Sequence, residues 1–304
     1  MNKNYRVLIL VCLGLIFFIA CKKSNKEEET ILKGKATLLV DESIFPIVED
    51  QQAVFETQYD AKLNLLKNSE SKIINFLLND TAKIAVLPRK LSEAEEKAFS
   101  NKKITPKQTL FAKDAVVFIT NKTSNDTLIA LDDIVSFMKG NDVKGIKGLV
   151  FDNPNSSSVR LLTEKAGVKI SSQKNIFSFA TNMEVIKYVS ENEGMIGVVG
   201  VNWLYQPPLQ MQSTVDKVRV MSVKPDEKSG YIYPSQFNIG KGFYPLARHL
   251  YIINCQGYSG LGMGFASFVG GERGQRIVLK SGLVPVRYPS RNIITRKKVL
   301  NDNK

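Results

Sequence analysis

The sequence predicts an α/β protein built from mostly parallel sheets with helices packed on both faces. Three observations carry this. Short apolar runs alternate with segments whose apolar residues recur at helical spacing, which is the pattern of βαβ units. Capping and stop residues punctuate the junctions between them. The composition of the 304-residue chain, 43% hydrophobic and 23% charged, is that of a globular protein with enough apolar surface for one large or two ordinary domains. A disordered chain, a collagen-like fibre and a multi-span membrane protein are thereby excluded.

The first twenty residues stand apart. Lys3 and Arg6 form a positive start, and Val7 to Ala20 is apolar throughout. That run is too short to span a bilayer but suits the core of a signal peptide. Cys21 follows the small residue Ala20, an arrangement that resembles the bacterial lipobox apart from Phe18 where Leu is usual. The resemblance implies cleavage after residue 20 and lipidation of Cys21. Residues 21–30 then read as a charged, solvated tether. Cys12 departs with the leader and Cys21 is blocked, so Cys255 remains alone, in an apolar run that suits a buried thiol better than a nucleophile.

Beyond the tether, Lys35 to Val40 is a strand, and Pro46 to Tyr59 a helix with Pro in its first turn. Lys62 to Leu66 is a strand, Ser69 to Leu78 a helix, and Lys83 to Leu87 a strand. Ser92 to Ser100 is a helix opened by a Ser-x-x-Glu capping box at Ser92 and Glu95. Ala115 to Thr120 is a continuous apolar strand, Leu131 to Lys139 a helix stopped at Gly140, and Gly148 to Phe151 a strand. Ser156 to Ala166 is a helix closed by Gly167. Met183 to Asn192 is a helix and Met195 to Val199 a strand. Val218 to Val223 and Leu250 to Asn254 are strands, and Leu261 to Val269 and Glu272 to Ser281 are the last helices.

Ligands of open α/β sheets sit beyond the carboxyl ends of the strands, so the strand-to-helix turns are where chemistry is expected. Three turns stand out: Asp41 to Pro46, Leu87-Pro88-Arg89, and Asp152 to Arg160 with its run of three serines. Hydroxyls, guanidinium groups and free N–H groups at helix starts are the parts of an oxyanion site. Ser43, Arg89, Ser156, Ser157, Ser158 and Arg160 are therefore the candidate ligand-binding residues. A serine cluster at a helix start also serves as a plain N-cap. The single His249 rules out a His-rich zinc site and relays that need two imidazoles, and no cofactor is expected. Gly257 to Gly264 lacks dinucleotide-loop spacing, and Ser259 lacks the nucleophile-elbow pattern, so no enzyme is expected.

Several segments together resemble the substrate-binding proteins of phosphate ABC transporters. Ser43-Ile44-Phe45-Pro46 is similar to their Ser-Thr-x-Tyr/Phe-Pro opening, and Ile84 to Ser92 to their Ile-Ala-x-x-Ser-Arg-x-Leu segment. Ser156 to Arg160 stands where they have Gly-Ser-Gly-Thr-Arg. Asn182-Met183 through Gly200, Tyr244 to Tyr251 and Phe265 to Pro285 match further segments in the same order. The resemblance, over about residues 35 to 286, implies a two-lobed type II periplasmic-binding-protein fold joined by a two-strand hinge. One lobe is expected from 31–113 plus 231–304, the other from 114–230. It implies a monomeric, lipid-anchored protein of the cell envelope that captures an oxyanion, phosphate first, for an ABC permease. The chain departs from the pattern at Val159, which removes a hydroxyl, and at Pro88, which removes a side-chain partner and a backbone N–H. An envelope scaffold of the same fold with weak or no phosphate binding therefore stays open. Asp41, Glu42 and Asp152 are the nearby carboxylates that could accept the proton of HPO₄²⁻. The net charge of +13 and the basic tail Arg287 to Lys304 carry little aromatic interleaving, so nucleic acid is not an expected partner.

Overall fold

The computed structural model describes residues 29–168 and 175–290. The leader, Cys21, most of the tether and the tail beyond Ser290 lie outside the described residues.

Lobe one is built on β1 (Lys33–Asp41), β2 (Asp60–Asn68) and β3 (Ile84–Leu87). Between them run α1 (Phe45–Gln58) and α2 (Glu70–Leu78), and α3 (Glu93–Asn101) follows β3. β1 pairs in parallel with both β2 and β3, so the helices between them are crossover connections. The second half of β1 is buried on both faces. Leu38 and Val40 pack toward α1 in the main core, while Leu39 joins Ile73 and Leu77 of α2 and Phe99 of α3 on the opposite face. β3 alternates the same way, with Ile84 and Val86 on one face and Ala85 and Leu87 on the other. Ser92 and Glu95 form the reciprocal capping box that the sequence predicts.

The chain leaves this lobe through β4 (Lys107–Asn121), the longest strand of the described residues. Its first half pairs antiparallel with β11 (Ala247–Asn254), and its second half, from Val116 to Ile119, pairs antiparallel with β8 (Met195–Gly200). One strand thus belongs to both lobes, and Val116 N–H donates to Leu246 O at 3.0 Å where the returning chain crosses back.

Lobe two holds β5 (Leu128–Ala130), α4 (Leu131–Met138), β6 (Gly148–Phe151), α5 (Ser157–Ala166), β7 (Ile176–Ser178) and α6 (Asn182–Glu191). After β8 come the short helices α7 (Asn202–Tyr205) and α8 (Gln212–Val215), then β9 (Val218–Val220) and β10 (Ser222–Lys224). β6 pairs in parallel with β7 and β8. The return path runs through α9 (Gln236–Gly240) to β11, and α10 (Leu261–Gly270), α11 (Glu272–Lys280) and β12 (Val284–Pro285) finish on lobe one. There Phe55 of α1 meets Phe265 and Phe268 of α10 edge-on, with ring centroids 5.5 and 5.4 Å apart.

The full strand order is β2-β1-β3-β11-β4-β8-β6-β7, with β9 and β12 also on β4. The sheet is parallel in its outer parts and antiparallel around β4 and β11. The stretch Val218 to Val223, expected as one strand, divides at Met221, because β9 pairs with β4 whereas β10 pairs with β5. No described helix is long and apolar enough to cross a membrane.

The lobes meet closely. A Cβ at Gly200, where β8 ends, would lie 2.2 Å from the carbonyl oxygen of Ser43, so only glycine permits this approach. Trp203 of α7 donates its indole N–H to Glu42 O at 3.2 Å across the same junction.

Candidate functional site

β1 ends at Asp41, and a short 3-10 turn, Glu42–Ile44, leads into α1. On the facing lobe β6 ends at Phe151, and Asp152 to Ser156 leads into α5, whose N-cap is Ser156. The ends of the two strands therefore point two helix starts at one another, and the inter-lobe site lies between them.

Its centre is a single carboxylate oxygen. Asp41 Oδ1 accepts from the backbone N–H of Ser43 at 3.0 Å, from Ser43 Oγ at 2.6 Å and from Ser157 Oγ at 2.9 Å. Ser43 and Ser157 come from opposite lobes and lie 3.1 Å apart, oxygen to oxygen. Behind them stands Arg248 of β11, only 4% exposed. Its Nη1 donates to both hydroxyls, at 3.2 and 3.0 Å, while Nε and Nη2 grip the two oxygens of Asp114 at 3.0 and 2.5 Å. This fork geometry fixes the guanidinium plane and holds it charged despite burial.

Around that centre the site is acidic. Glu42 accepts from Asn182 N–H at 3.1 and 3.2 Å and also from the Asn182 amide Nδ2. The same Nδ2 reaches Asp152 Oδ2 at 3.1 Å, and Asn182 Oδ1 accepts from Gly200 N–H at 2.9 Å. Ser156 Oγ donates to Asp152 Oδ1 at 2.5 Å. Burial pushes all three carboxyl groups up: Asp41 to about 6, Asp152 to about 7, and Glu42, which also faces Asp152, to about 8. Asp41 is held back from a larger rise by Ser43 and Arg248. Among the described residues no group of His, Cys, Asp and Glu is placed to hold a metal ion.

A cavity of about 200 Å³ opens next to this centre, walled by both lobes. The buried Asp41, Glu42 and Asp152 line it together with the exposed Lys67 and Lys72 of lobe one. The buried Ser69 Oγ, at the start of α2, lines it without a hydrogen-bond partner. Asp41 Oδ2 is likewise buried and unpartnered.

The six sequence-predicted residues divide into two groups. Ser43 and Ser157 come together. Ser156 caps α5 through Val159 N–H at 3.2 Å and holds Asp152, and Ser158 is fully buried with an unpartnered Oγ. Arg89 and Arg160 meet elsewhere. Their guanidinium groups converge on Glu70 of α2, with Arg89 Nε at 2.8 Å and Arg160 Nε at 2.7 Å from its Oε1. Arg89 also forks onto Glu95, and Arg160 pairs with Glu164. Glu70, 3% exposed, thereby bridges the lobes from the first to the second. Replacing Glu70 with Ala leaves two partly buried cations facing each other, and is expected to cost about 1–3 kcal/mol in urea unfolding. An unchanged midpoint would show that the bridge contributes nothing.

Sequence reasoning passed over Arg248, Asp114 and Asn182. Arg248 left two signals: its place in the family-like run Tyr244 to Tyr251, and its position two residues before the buried Leu250 of β11, in phase with the buried side chains there. Val159 is buried in the main core, and so substitutes packing for a hydroxyl.

The fold and the site together define a two-lobed protein with a cluster of hydroxyls, carboxyls and one guanidinium where the lobes meet. The PBP superfamily domain matches residues 25–273, and the chain belongs to that superfamily. It is 24% identical over 300 residues to the phosphate-binding protein PstS of Borreliella burgdorferi, covering 92% of this chain and 98% of that one. Among solved structures it resembles a Clostridium perfringens protein assigned as a phosphate ABC transporter substrate-binding protein and holding phosphate. That likeness has a TM-score of 0.68 at 19% identity, over 84% of this chain and 100% of the other. The ABC-type phosphate transport receptor of Vibrio cholerae gives a TM-score of 0.61 at 19% identity, over 82% and 99%. These likenesses carry the type II periplasmic-binding-protein fold.

Proposed function

We propose that the chain is the solute-binding component of an ABC-type uptake system and captures phosphate between its lobes, without chemistry on the solute. The observation that carries this reading is the convergence of Ser43 and Ser157, from opposite lobes, on one carboxylate oxygen of Asp41, with Arg248 of the hinge strand donating to both hydroxyls. A phosphate oxygen would take the same hydrogen bonds when the Asp41 side chain turns toward the cavity it already lines. Phosphate-binding relatives of the same fold support the choice of anion. In this reading Ser43 and Ser157 touch the ligand, Ser156 and Ser158 build the helix start behind it, and Arg89 and Arg160 act through Glu70 on closure. The lobes comprise 31–113 plus 231–304, and 114–230. Lipid on Cys21 holds the monomer at the cell envelope, where an inner-membrane permease receives the solute.

The accessory-lipoprotein reading is favoured by one feature, the three carboxylates around the donors. In its charged form each repels a dianion, by about 4 kcal/mol at 4 Å and an effective dielectric of 20, so the opposition grows as pH rises through their raised values. Calorimetry on the mature protein decides between them. Phosphate is expected to bind with sulfate far weaker, and Ser157→Ala to lose at least tenfold in affinity. Silence with phosphate across pH 5 to 8 would favour the accessory role.

A further inference from the structure

The chain enters lobe one at a fixed point. Glu29, the first described residue, accepts through Oε1 from the N–H of Leu261 at 2.7 Å and from Gln256 Nε2 at 2.9 Å, and through Oε2 from the Tyr258 hydroxyl at 3.0 Å. Two residues on, the Ile31 carbonyl lies so close to α10 that a Cβ at Gly264 would come within 1.6 Å of its oxygen. Cys21 stands eight residues before Glu29. A fully extended chain of that length spans at most about 28 Å. A lipid on Cys21 therefore keeps the bilayer surface within that distance of Glu29, at the end of lobe one formed by the Gln256 to Ser259 turn and the start of α10.

This end carries the chemistry of an interfacial surface. A cavity of about 460 Å³ opens beside Tyr258, lined by Lys83, Lys103 and Lys107, and among the described residues none of those lining it is an Asp or a Glu. Lys83 pairs with Asp80 outside it. Lys35 and Lys83 line a neighbouring cavity that shares Gln256 and Tyr258 with the first. The acids of α3, Glu93, Glu95 and Glu96, stand in its first turn, a helix length away from Lys102 and Lys103. Apolar side chains are exposed around the point of entry: Tyr258 is 54% exposed, Leu32 42% and Ile31 41%. Lysines beside an aromatic ring and aliphatic side chains suit an anionic bilayer, where the cations meet phosphodiester headgroups and the apolar groups settle at headgroup level.

We propose that this end of lobe one docks on the bilayer that holds Cys21. Anionic phospholipid headgroups occupy the cavity of Lys83, Lys103 and Lys107, and Tyr258, Ile31 and Leu32 lie at the interface. This rests on the reading of Cys21 as the lipid-bearing residue and is independent of which solute the lobes hold.

The test is co-sedimentation of the mature chain carrying Cys21→Ser, which has no lipid of its own, with phosphatidylcholine vesicles that contain one third phosphatidylglycerol or none. Binding to the anionic vesicles is expected to be at least tenfold tighter and to weaken as salt rises. Lys83→Gln, Lys103→Gln and Lys107→Gln together should lose tenfold or more of it. Lys139→Gln, Lys144→Gln and Lys147→Gln, at exposed positions of lobe two, remove the same charge and should leave binding within twofold. Equal binding to both kinds of vesicle, or an equal loss in both triple variants, would overturn the docking face. So would tight binding of soluble glycerol phosphate without preference for the anionic vesicles. Labelling of the wild-type chain with radioactive palmitate in bacterial cells reads the anchor separately. Label without vesicle preference overturns the docking and leaves the anchor standing; no label overturns both.

Discussion

Replacing Arg248 with Met will lower the unfolding free energy by about 3–5 kcal/mol and abolish solute binding. Arg248 and Asp114 are 4% and 0% exposed and share two hydrogen bonds between β11 and β4, the strands that carry the chain between lobes. Removing the cation leaves Asp114 buried and uncompensated, which is the costly half of breaking such a pair. It also removes Nη1 from Ser43 and Ser157, so both hydroxyls lose the donor that orients them. The double variant Arg248→Met with Asp114→Leu separates the two effects. It buries no unpaired charge, so stability should return to within about 1–2 kcal/mol of wild type, as apolar replacements of buried pairs do. Binding should not return with it. Urea unfolding and calorimetry on the three proteins measure both; recovery of binding in the double variant would remove Arg248 from the site.

The second large effect is in pH. Asp41, Asp152 and Glu42 have folded-state values raised to about 6, 7 and 8, so the native protein holds their protons more tightly than the unfolded chain does. Their contribution is complete below about pH 4 and is lost as pH climbs through 6 to 8. Each tenfold gain in proton affinity on folding corresponds to about 1.4 kcal/mol, so a fall of more than about 2 kcal/mol in unfolding free energy is expected between pH 5 and pH 9. Asp50, also pushed up to about 6 by burial, adds to the lower part of this slope, whereas the lowered His249 opposes it weakly at the acid end. Glu42→Gln isolates the site. The amide carries no charge at any of these pH values, so the variant's curve should be visibly flatter above pH 7. A parallel curve would show that Glu42 sits in a more solvated place than its contacts with Asn182 imply.

Much of the lobe architecture was legible because its signals are local. The capping box at Ser92, the Pro in the first turn of α1 and the unbroken apolar runs of β1, β3 and β6 each report on residues within one turn or strand. The three strand-to-helix turns were legible for the same reason, and two of them, carrying Ser43 and Ser157, do face each other. What stayed hidden depends on distant parts of the chain. Arg248 finds Asp114 at 134 residues' separation, and Glu70 draws Arg160 from 90 residues away. No periodicity announces such pairs, and a lone Arg after a strand reads equally as a ligand group or as half of an ion pair. The outer strands β5, β7 and β12 are too short to show a pattern. The first half of β4, Lys107 to Asp114, mixes Lys, Gln and Asp with apolar residues because it is a hinge strand shared between two partners rather than a core strand.

The claim that the donors of Ser43, Ser157 and Arg248 hold the solute's anion in exchange for Asp41 is tested most directly by a crystal structure of the mature protein grown with phosphate. A phosphate oxygen is expected within hydrogen-bonding distance of both serine hydroxyls and Arg248 Nη1, with Asp41 turned into the cavity. Phosphate bound elsewhere, with Asp41 Oδ1 still on the two serines, would contradict it.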